Sequence, residues 1–389
     1  MVKYVYLIGI AGNIGSATVA SSIAMKKGLL KERYGMITKT KNFENMKLID
    51  EKEFEFIGCD IRNRNIYESL LDNEILPHKI LDKIFEDNKK IPIRKAISFQ
   101  DISKILDSNN TYNVKNLKEV LDILVKEIKD VKNRYGDLIA VDIMSTESFI
   151  PICKEHSDLD KFIKLIEEDR KDLITPSMLY AYAFIKEGCP FIEFTPNLSI
   201  VPKAIQDLAV EKRIPICGKD ASTGQTFYKT VIAEILKKRN LKIVGWYSTN
   251  LLGNNDGKIL NLENHLKTKI EDKYNPLNSV LEYNPCHIID IRYYPPKGDN
   301  KEAWDNVDFI GWFNMPMSMK INWIGRDTIL AVPLLFDLLR LVEFSQRKGE
   351  YGILEHLAVF FKNPIGSKEK SFLENYKVLE EYARKNSED

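Results

Sequence analysis

Four short, largely apolar segments in the first half of the chain predict buried strands. They occupy residues 4–10, 54–58, 138–144 and 190–194. The first segment is apolar at every position, which indicates a strand covered on both faces, as in a parallel sheet. Between the runs the chain has helical periodicity, and residues 62–135 are helix-like with long charged faces. Strands that alternate with helices predict an α/β fold with a doubly wound parallel sheet.

The pattern changes after about residue 218. A helix is predicted at 226–238, and segments of alternating polar and apolar residues follow at 242–247, 287–294 and 308–313. Period-two alternation is typical of strands with one solvated face, so a second, more antiparallel sheet is expected. Residues 327–344 are strongly apolar and predict a helix in spite of Pro333, which would lie near its first turns or kink it.

Composition narrows the class of protein. A chain of 389 residues with 44% hydrophobic residues is long enough for two domains with sizeable cores. Lys and Arg number 57 against 56 Asp and Glu, which argues against a dedicated binder of nucleic acid or anionic membranes. The five cysteines are scattered and form no CxxC pair, so neither a disulfide framework nor a thiolate zinc site is indicated. With no apolar run of about 18 residues, we expect a cytoplasmic protein without a membrane span.

A glycine-rich loop joins the first predicted strand to the first predicted helix. In GIAGNIGSAT, Gly9, Gly12 and Gly15 leave room for a pyrophosphate, and Ala11 stands where the usual GxGxxG motif has its second glycine. The following helix would offer backbone N–H groups to the same anion. Asp60 directly follows the second strand and suits a ribose hydroxyl. The alternatives are a tight turn with no ligand and an aspartate that caps the next helix.

Four further segments carry candidate chemistry. GKDASTGQT, residues 218–226, places hydroxyls and glycines before a helix, which suits a phosphate but also an ordinary helix cap. LLGNNDG, residues 251–257, would ordinarily be a turn. In NHLKTKIEDK, Lys269 and Lys273 share one face if the segment is helical, and the alternative is an ordinary solvated face. Lys362 stands in the apolar context FFKNP, where a lysine is unusual.

Together these segments resemble the myo-inositol-phosphate synthase family, in order and over nearly the whole chain. The family's GxGGNNGS loop corresponds to GIAGNIGS, its GGWDI to IGCDI, and its INGSPQNTFVP to IEFTPNLSIVP. Its GDDxKSGQT corresponds to GKDASTGQT, its NHLGNNDG to TNLLGNNDG, and its SKxxSK to TKIEDK. Its VPxxGDxKxA corresponds to PPKGDNKEA, its HNTCEDSLLAAP to INWIGRDTILAVP, and its FxxKxPL to FFKNPI.

The resemblance implies an isomerase with bound NAD. It would convert D-glucose 6-phosphate into 1L-myo-inositol 1-phosphate by oxidation at carbon 5, enolisation, intramolecular aldol cyclisation and re-reduction. It also implies a discontinuous Rossmann domain, residues 1–217 and 325–389, and a catalytic and oligomerisation domain with a large mixed sheet, residues 218–324. A homotetramer is expected by the same resemblance. Whether a divalent metal or an ammonium ion activates the enzyme is left open.

The resemblance also assigns site residues by position. The catalytic set is Lys269, Lys273, Lys301, Lys362, Asp220 and Asp327, with Lys273 and Lys301 first for proton transfer and oxyanion stabilisation. The cofactor set is Gly9, Ala11, Gly12, Asn13, Ile14, Gly15, Asp60, Ser145, Thr146, Asp220 and Asp299. The substrate set is Ser222, Thr223, Gly224, Gln225, Asn250, Leu252 and Asn255 with the four lysines.

Some positions depart from the family pattern. Lys219 stands where the family has the first Asp of GDD, and Ser222 stands where it has Lys. Leu198 replaces the Asn of SPQNT, and INWIGRD lacks the family's His and Cys. Two alternatives therefore stay open: a related NAD-dependent isomerase or oxidoreductase acting on another phosphorylated sugar or polyol, and a non-catalytic NAD-binding homologue.

Overall fold

The part of the chain that the structure describes folds around two separate sheets. The structure is a computed structural model, and it describes residues 2–72, 75–99, 108–253, 277–298 and 300–387. In chain order its strands are β1 Lys3–Ile8, β2 Phe54–Asp60, β3 Ile93–Lys95, β4 Leu138–Asp142, β5 Phe191–Glu193, β6 Pro215–Gly218, β7 Lys242–Leu252, β8 Cys286–Tyr293, β9 Asn300–Ile310, β10 Pro316–Arg326 and β11 Gly352–Ile353.

Ten α-helices have both ends within the described ranges and cover these sheets. They are α1 Asn13–Lys26, α2 Ile66–Asp72, α3 His78–Lys89, α4 Leu117–Tyr135, α5 Leu159–Glu167, α6 Pro176–Lys186, α7 Lys203–Glu211, α8 Gln225–Lys238, α9 Asp327–Arg347 and α10 Phe372–Lys385. Helix α9 contains Pro333 in its interior. No helix in the described part of the chain combines the length and apolar character needed to cross a bilayer.

The first sheet has seven parallel strands in the order β11-β6-β5-β4-β1-β2-β3. Its two faces bury separate cores. One core holds side chains of α1, α2, α3, α9 and α10, and the other holds side chains of α4, α5, α6 and α7. Apolar side chains can point to either face of such a sheet, which explains why β1 and β4 are apolar at successive positions. The C-terminal segment thus returns to the first sheet through α9, β11 and α10.

The second sheet has four strands in the order β10-β9-β7-β8. Strands β7 and β8 are parallel, whereas β9 runs antiparallel to both β7 and β10. One face packs against α8 through Trp246, Val307 and Ala233. The predicted fold class, a doubly wound parallel sheet with a second mixed sheet, is confirmed. The residue limits of the two domains stay a prediction.

Candidate active site

The glycine-rich loop follows β1 at the carboxyl edge of the parallel sheet. Gly9 has φ +98°, and the N–H groups of Gly9 and Ile10 both donate to the carbonyl of Cys59 at 2.8 and 3.1 Å. A Cβ at Gly15 would lie 2.5 Å from the carbonyl oxygen of Ile10, so only glycine lets α1 pack this closely. Gly12 precedes α1, and no side chain caps that helix. An anion can therefore approach the N–H groups of its first turn.

Asp60 and Arg62 lie beside this loop at the end of β2. The N–H of Ala11 donates to Oδ2 of Asp60 at 2.9 Å. The side chain of Arg62 donates to both carboxylate oxygens, from Nε to Oδ1 at 3.0 Å and from Nη2 to Oδ2 at 3.4 Å. Parallel pairing of β1 with β2, with Ile8 beside Cys59, places the loop and the aspartate at the same edge.

Two adjoining clefts open along this edge. The small cleft, of about 630 Å³, is lined by residues that include Gly9, Asp60 and Ser98. The large cleft, of about 1260 Å³, extends to residues of α8, β7, β9 and α9. Both clefts share the same central residues, which are Gly12, Arg62, Ile143, Met144 and Ser145. The two clefts thus form one elongated groove that passes the N-terminus of α1.

Buried carboxyl groups support the segments that line the groove. Asp142 and Glu193 are register partners on β4 and β5, and both are fully buried. Burial raises the pKa of Asp142 to about 6, and burial together with Asp142 raises the pKa of Glu193 well above its usual range. Asp142 accepts from the N–H of Met144 at 2.9 Å, and Glu193 accepts from the N–H of Thr195 at 2.7 Å. These bonds fix the chain where it lines the large cleft.

A loop after β6 carries the first lysine–carboxylate pair. Asp220 donates its N–H to the carbonyl of Thr195 at 2.8 Å and accepts, through its own carbonyl, the N–H of Lys362 at 2.7 Å. Backbone bonds therefore place Lys362 next to Asp220, and Nζ of Lys362 donates to Oδ1 of Asp220 at 2.6 Å. Both side chains are largely buried and line the large cleft.

The second pair comes from the other sheet. Lys301 on β9 donates from Nζ to Oδ2 of Asp327, the first residue of α9, at 2.8 Å. Gly224, which precedes α8, lies close to this pair, since a Cβ there would be 2.7 Å from Oδ1 of Asp327. The next residue, Gln225, donates to both carboxylate oxygens of the buried Asp305 at 3.0 Å. The start of α8 is thus fixed against β9 beside the lysine.

The structure brings most of the predicted site residues to the groove. The large cleft is lined by Gly12, Asn13, Ile14, Ser145, Thr146, Asp220, Thr223, Gly224, Gln225, Leu252, Lys301, Asp327 and Lys362. Gly9 and Asp60 line the small cleft. Ala11, Gly15, Ser222 and Asn250 line neither cleft. Asn255, Lys269, Lys273 and Asp299 lie outside the described residues.

Several groove residues were not predicted from the sequence. Arg62, Glu147 and Thr328 each stand one or two residues from a predicted site residue, so a wider window around each motif could have found them. Thr195 lies in the TPNLS segment that the resemblance already covers. Burial raises the pKa of Glu147 to about 7, and Ser177 at the start of α6 donates to it from both N–H and hydroxyl.

No group of three or more His, Cys, Asp or Glu side chains with metal-binding geometry occurs among the described residues.

Lys219, which departs from the family motif, lies buried beneath the groove. Its Nζ donates to the carbonyl of Pro196 at 2.9 Å. The cation at this position therefore supports the wall of the large cleft, because Pro196 itself lines that cleft.

Comparison with known proteins identifies the family. A model of an NAD-binding family, described as myo-inositol-1-phosphate synthase, matches residues 4–384. Inositol-3-phosphate synthase 1 of Bacteroides thetaiotaomicron is 35% identical over 382 residues, which cover 93% of this chain and 89% of that protein. Inositol-3-phosphate synthase of Dictyostelium discoideum is 27% identical, with 88% and 74% covered.

Solved structures share the fold. The inositol-3-phosphate synthase of Caenorhabditis elegans superimposes with a TM-score of 0.92 at 22% identity, covering 99% of this chain and 86% of that one. A myo-inositol-1-phosphate synthase-related protein of Thermotoga maritima gives a TM-score of 0.83 at 23% identity, covering 99% of both chains. The family match over almost the whole chain, together with the bacterial relative, shows that this chain belongs to the myo-inositol-1-phosphate synthase family.

Proposed function

We propose that this chain converts D-glucose 6-phosphate into 1L-myo-inositol 1-phosphate with NAD and without net oxidation or reduction. The observation that carries the proposal is the convergence of two lysine–carboxylate pairs, Lys301–Asp327 and Lys362–Asp220, on one cleft that continues into the glycine-rich loop. Family membership and the activity of the bacterial relative, as its name gives it, support the same reaction.

The residues of the groove fit a dinucleotide. A Cβ at Gly9 would lie 3.0 Å from the carbonyl of Ile143, and one at Gly12 would lie 3.1 Å from the carbonyl of Gly9, so the loop is packed too tightly for side chains at these two positions, as in a dinucleotide-binding turn. The N-terminus of α1 would hold the pyrophosphate, in a groove that Gly12 and Ser145 also line. When bound, NAD supplies a hydride acceptor for carbon 5 of the sugar and later a hydride donor for the ring ketone.

The lysines stabilise the negative charge that develops on the sugar oxygens. Loss of a proton from carbon 6 and closure of the ring each place charge on an oxygen, and a preorganised ammonium group in a water-poor cleft stabilises that charge. Asp327 and Asp220 hold Lys301 and Lys362 in position before substrate arrives. By resemblance, Lys269 and Lys273 complete the set, and Lys273 and Lys301 carry the proton transfer.

The test is NMR of the purified protein with carbon-labelled glucose 6-phosphate and less than one equivalent of NAD. Inositol phosphate in excess of the NAD supplied would establish both cyclisation and return of the hydride. The measurement is run with and without Mg²⁺, Zn²⁺ and ammonium, which also decides between a divalent metal and ammonium as activator. No conversion under any of these conditions would overturn the assignment of substrate.

A second candidate is the same chemistry on a different phosphorylated sugar or polyol. The position of Lys219 favours it, because its ammonium group bonds Pro196 beneath the cleft. Ser222 carries a neutral hydroxyl, so the side chain at this position supplies no cation to replace the family's lysine. Profiling a panel of phosphosugars for turnover and for accumulation of NADH separates the two candidates. Binding of NAD without turnover of any of them would favour a non-catalytic homologue.

A homotetramer in the cytoplasm is the assembly and location that we propose from the family resemblance. Large apolar side chains on and beside the second sheet support self-association, since Trp304 is 48% exposed and Trp312 and Phe313 are each 84% exposed. Light scattering coupled to size-exclusion chromatography measures the assembly directly. A monomeric mass would contradict the tetramer.

A further inference from the structure

Arg62 lies where the two clefts meet. Among the described residues, five line both clefts, and Arg62 is the one of these that carries a charge. Its Nη2 lies 3.9 Å from the position that a Cβ would take at Gly12, the residue before α1. The guanidinium group therefore stands beside the same helix N-terminus that a pyrophosphate would approach.

Both carboxylate oxygens of Asp60 accept hydrogen bonds from the protein, and the guanidinium group of Arg62 supplies two of these bonds. Oδ1 accepts from the N–H and from Nε of Arg62, both at 3.0 Å. Oδ2 accepts from the N–H of Ala11 at 2.9 Å and from Nη2 of Arg62 at 3.4 Å. An ionised carboxylate has about four lone-pair sites, and each of the four is matched by a donor from the chain itself. The Asp60 side chain is 3% exposed, so little of its surface faces a ligand.

Arg62 has donors that Asp60 does not use. A guanidinium group carries about five N–H donors in a planar fork. Within the described residues, the side-chain bonds of Arg62 go to Asp60, from Nε and Nη2 alone. Nη1 and the second N–H of Nη2 remain, on a side chain that is 13% exposed and lines both clefts. A fork of this shape matches the paired oxygens of phosphate groups.

We propose that Arg62 binds the pyrophosphate of the dinucleotide, and that Asp60 is a positioning residue that holds Arg62 and the glycine-rich loop. The inference rests on the proposed function, because it takes NAD as the ligand of the groove. The pyrophosphate joins the two halves of NAD, and Arg62 lies at the junction of the two clefts that would receive them. The N–H of Ala11 also donates to Asp60, so this one carboxylate positions both the glycine-rich loop and the guanidinium group of Arg62.

The experiment measures binding of adenosine, ADP, NAD and NADP to the full chain by titration calorimetry or ligand-observed NMR. Arg62→Ala should weaken ADP and NAD by the same factor of about 10–100, the range for a charge-assisted hydrogen bond, and should leave adenosine unchanged. Arg62→Lys should recover part of that factor, because it restores the charge without the fork. Arg64→Ala is the matched control, since Arg64 pairs with Asp72 and lines neither cleft.

A double-mutant cycle tests the role of Asp60. If Asp60 acts through Arg62, Asp60→Asn should weaken ADP but not adenosine, and the loss in the double variant should fall short of the sum of the two single losses. If Asp60 binds a ribose hydroxyl itself, Asp60→Asn should weaken adenosine as well, and its effect should add to that of Arg62→Ala. That result would overturn the positioning role.

Other outcomes would overturn the role of Arg62. Equal losses for adenosine and ADP would indicate a structural or stacking role, and a loss confined to NADP would place Arg62 at the 2′-phosphate. Thermal unfolding of each variant shows whether the fold is kept. Failure of the wild-type chain to bind NAD would refute the proposed function, whereas normal NAD binding by Arg62→Ala would refute this inference alone.

Discussion

Replacement of Gly224 by alanine tests the position of Asp327. The added Cβ would lie 2.7 Å from Oδ1 of Asp327 and 3.0 Å from Cη2 of Trp323. The φ angle of Gly224 is −123°, outside the left-handed region that favours glycine. The nearest obstacle is the end of a flexible side chain, which can move at little cost in stability. We therefore expect Gly224→Ala to fold normally and to lose activity.

The expected loss follows from the geometry of the pair. Ordinary contact begins at 3.4 Å, so the carboxylate must move by several tenths of an ångström. If the distance of 2.8 Å between Lys301 Nζ and Asp327 Oδ2 grows to about 3.5 Å, their attraction falls by about 1 kcal/mol at an effective dielectric constant of about 20. Loss of the hydrogen bond itself adds to this, for a total of about 1–3 kcal/mol. We expect kcat/KM to fall by a factor of about 10–100.

The assay is conversion of glucose 6-phosphate followed by phosphorus NMR, with NAD affinity and melting temperature measured on the same samples. The matched control is Gly245→Ala on β7, where the nearest atom to the added Cβ is 3.7 Å away. The control should keep wild-type turnover. Wild-type kcat/KM in Gly224→Ala would refute the requirement for Asp327 at this position, and a collapse of its melting temperature alone would refute the claim that the side chain moves cheaply.

Three further predictions concern Lys362, the buried carboxyl groups of β4 and β5, and the two lysines that the family motif assigns. Lys362→Met should lower kcat at least about 100-fold and leave the Kd for NAD unchanged, as measured by turnover and calorimetry. Burial raises the pKa of Asp142 to about 6, and burial with Asp142 raises the pKa of Glu193 well above its usual range, so the stability that their bound protons give is lost as pH rises toward these folded-state pKa values. The melting temperature should therefore fall less between pH 5.5 and pH 8 in Glu193→Gln than in the wild type. Replacing Lys269 and Lys273 together by alanine should raise KM for the phosphosugar more than about 10-fold, measured at saturating NAD, while NAD affinity stays unchanged.

The glycine-rich loop could be predicted from the sequence because its determinants are local. The strand, the loop and the helix α1 are contiguous, and the positions of Gly9 and Gly15 follow from close approach of the backbone to itself. The position of Asp60 beside the loop could also be predicted, since parallel pairing of β1 with β2 puts the ends of both strands at one edge. Arg62 was missed because the motif directs attention to the carboxylate and gives no signal for the cation that bonds it.

The second sheet was predicted less well, for a physical reason that is visible at its hairpin. Alternation over 308–313 predicts a strand, but β9 ends at Ile310, and Trp312 and Phe313 form an exposed turn in which Phe313 has φ +58°. The following strand, β10, was not predicted, although its alternate residues Met317, Met319, Ile321 and Trp323 share one face. Because the turn at Trp312 and Phe313 is apolar, the prediction continued β9 through it and did not recognise the start of β10.

The contacts that define the groove could not be predicted from patterns, because they join distant segments. Asp220 and Lys362 are separated by 142 positions and meet through backbone bonds between two loops. The resemblance supplied each residue as a candidate but did not supply the pairing of each lysine with its own aspartate. That pairing is what the structure adds to the chemistry, since it fixes the ammonium groups before a ligand binds.

The same pairing constrains where the positive charge for a phosphosugar comes from. The described residues that line the groove carry three cations, Arg62, Lys301 and Lys362, and each is bonded to an aspartate that also lines it. The groove as described is therefore close to neutral, whereas a phosphate monoester and a dinucleotide both bring negative charge. Three neutralised pairs can orient a bound ligand and polarise its bonds, but they cannot by themselves balance the negative charge that the ligands bring. If the proposed reaction is correct, further cations must face the sugar phosphate, and the sequence offers Lys269 and Lys273 at the positions that the family motif assigns to them.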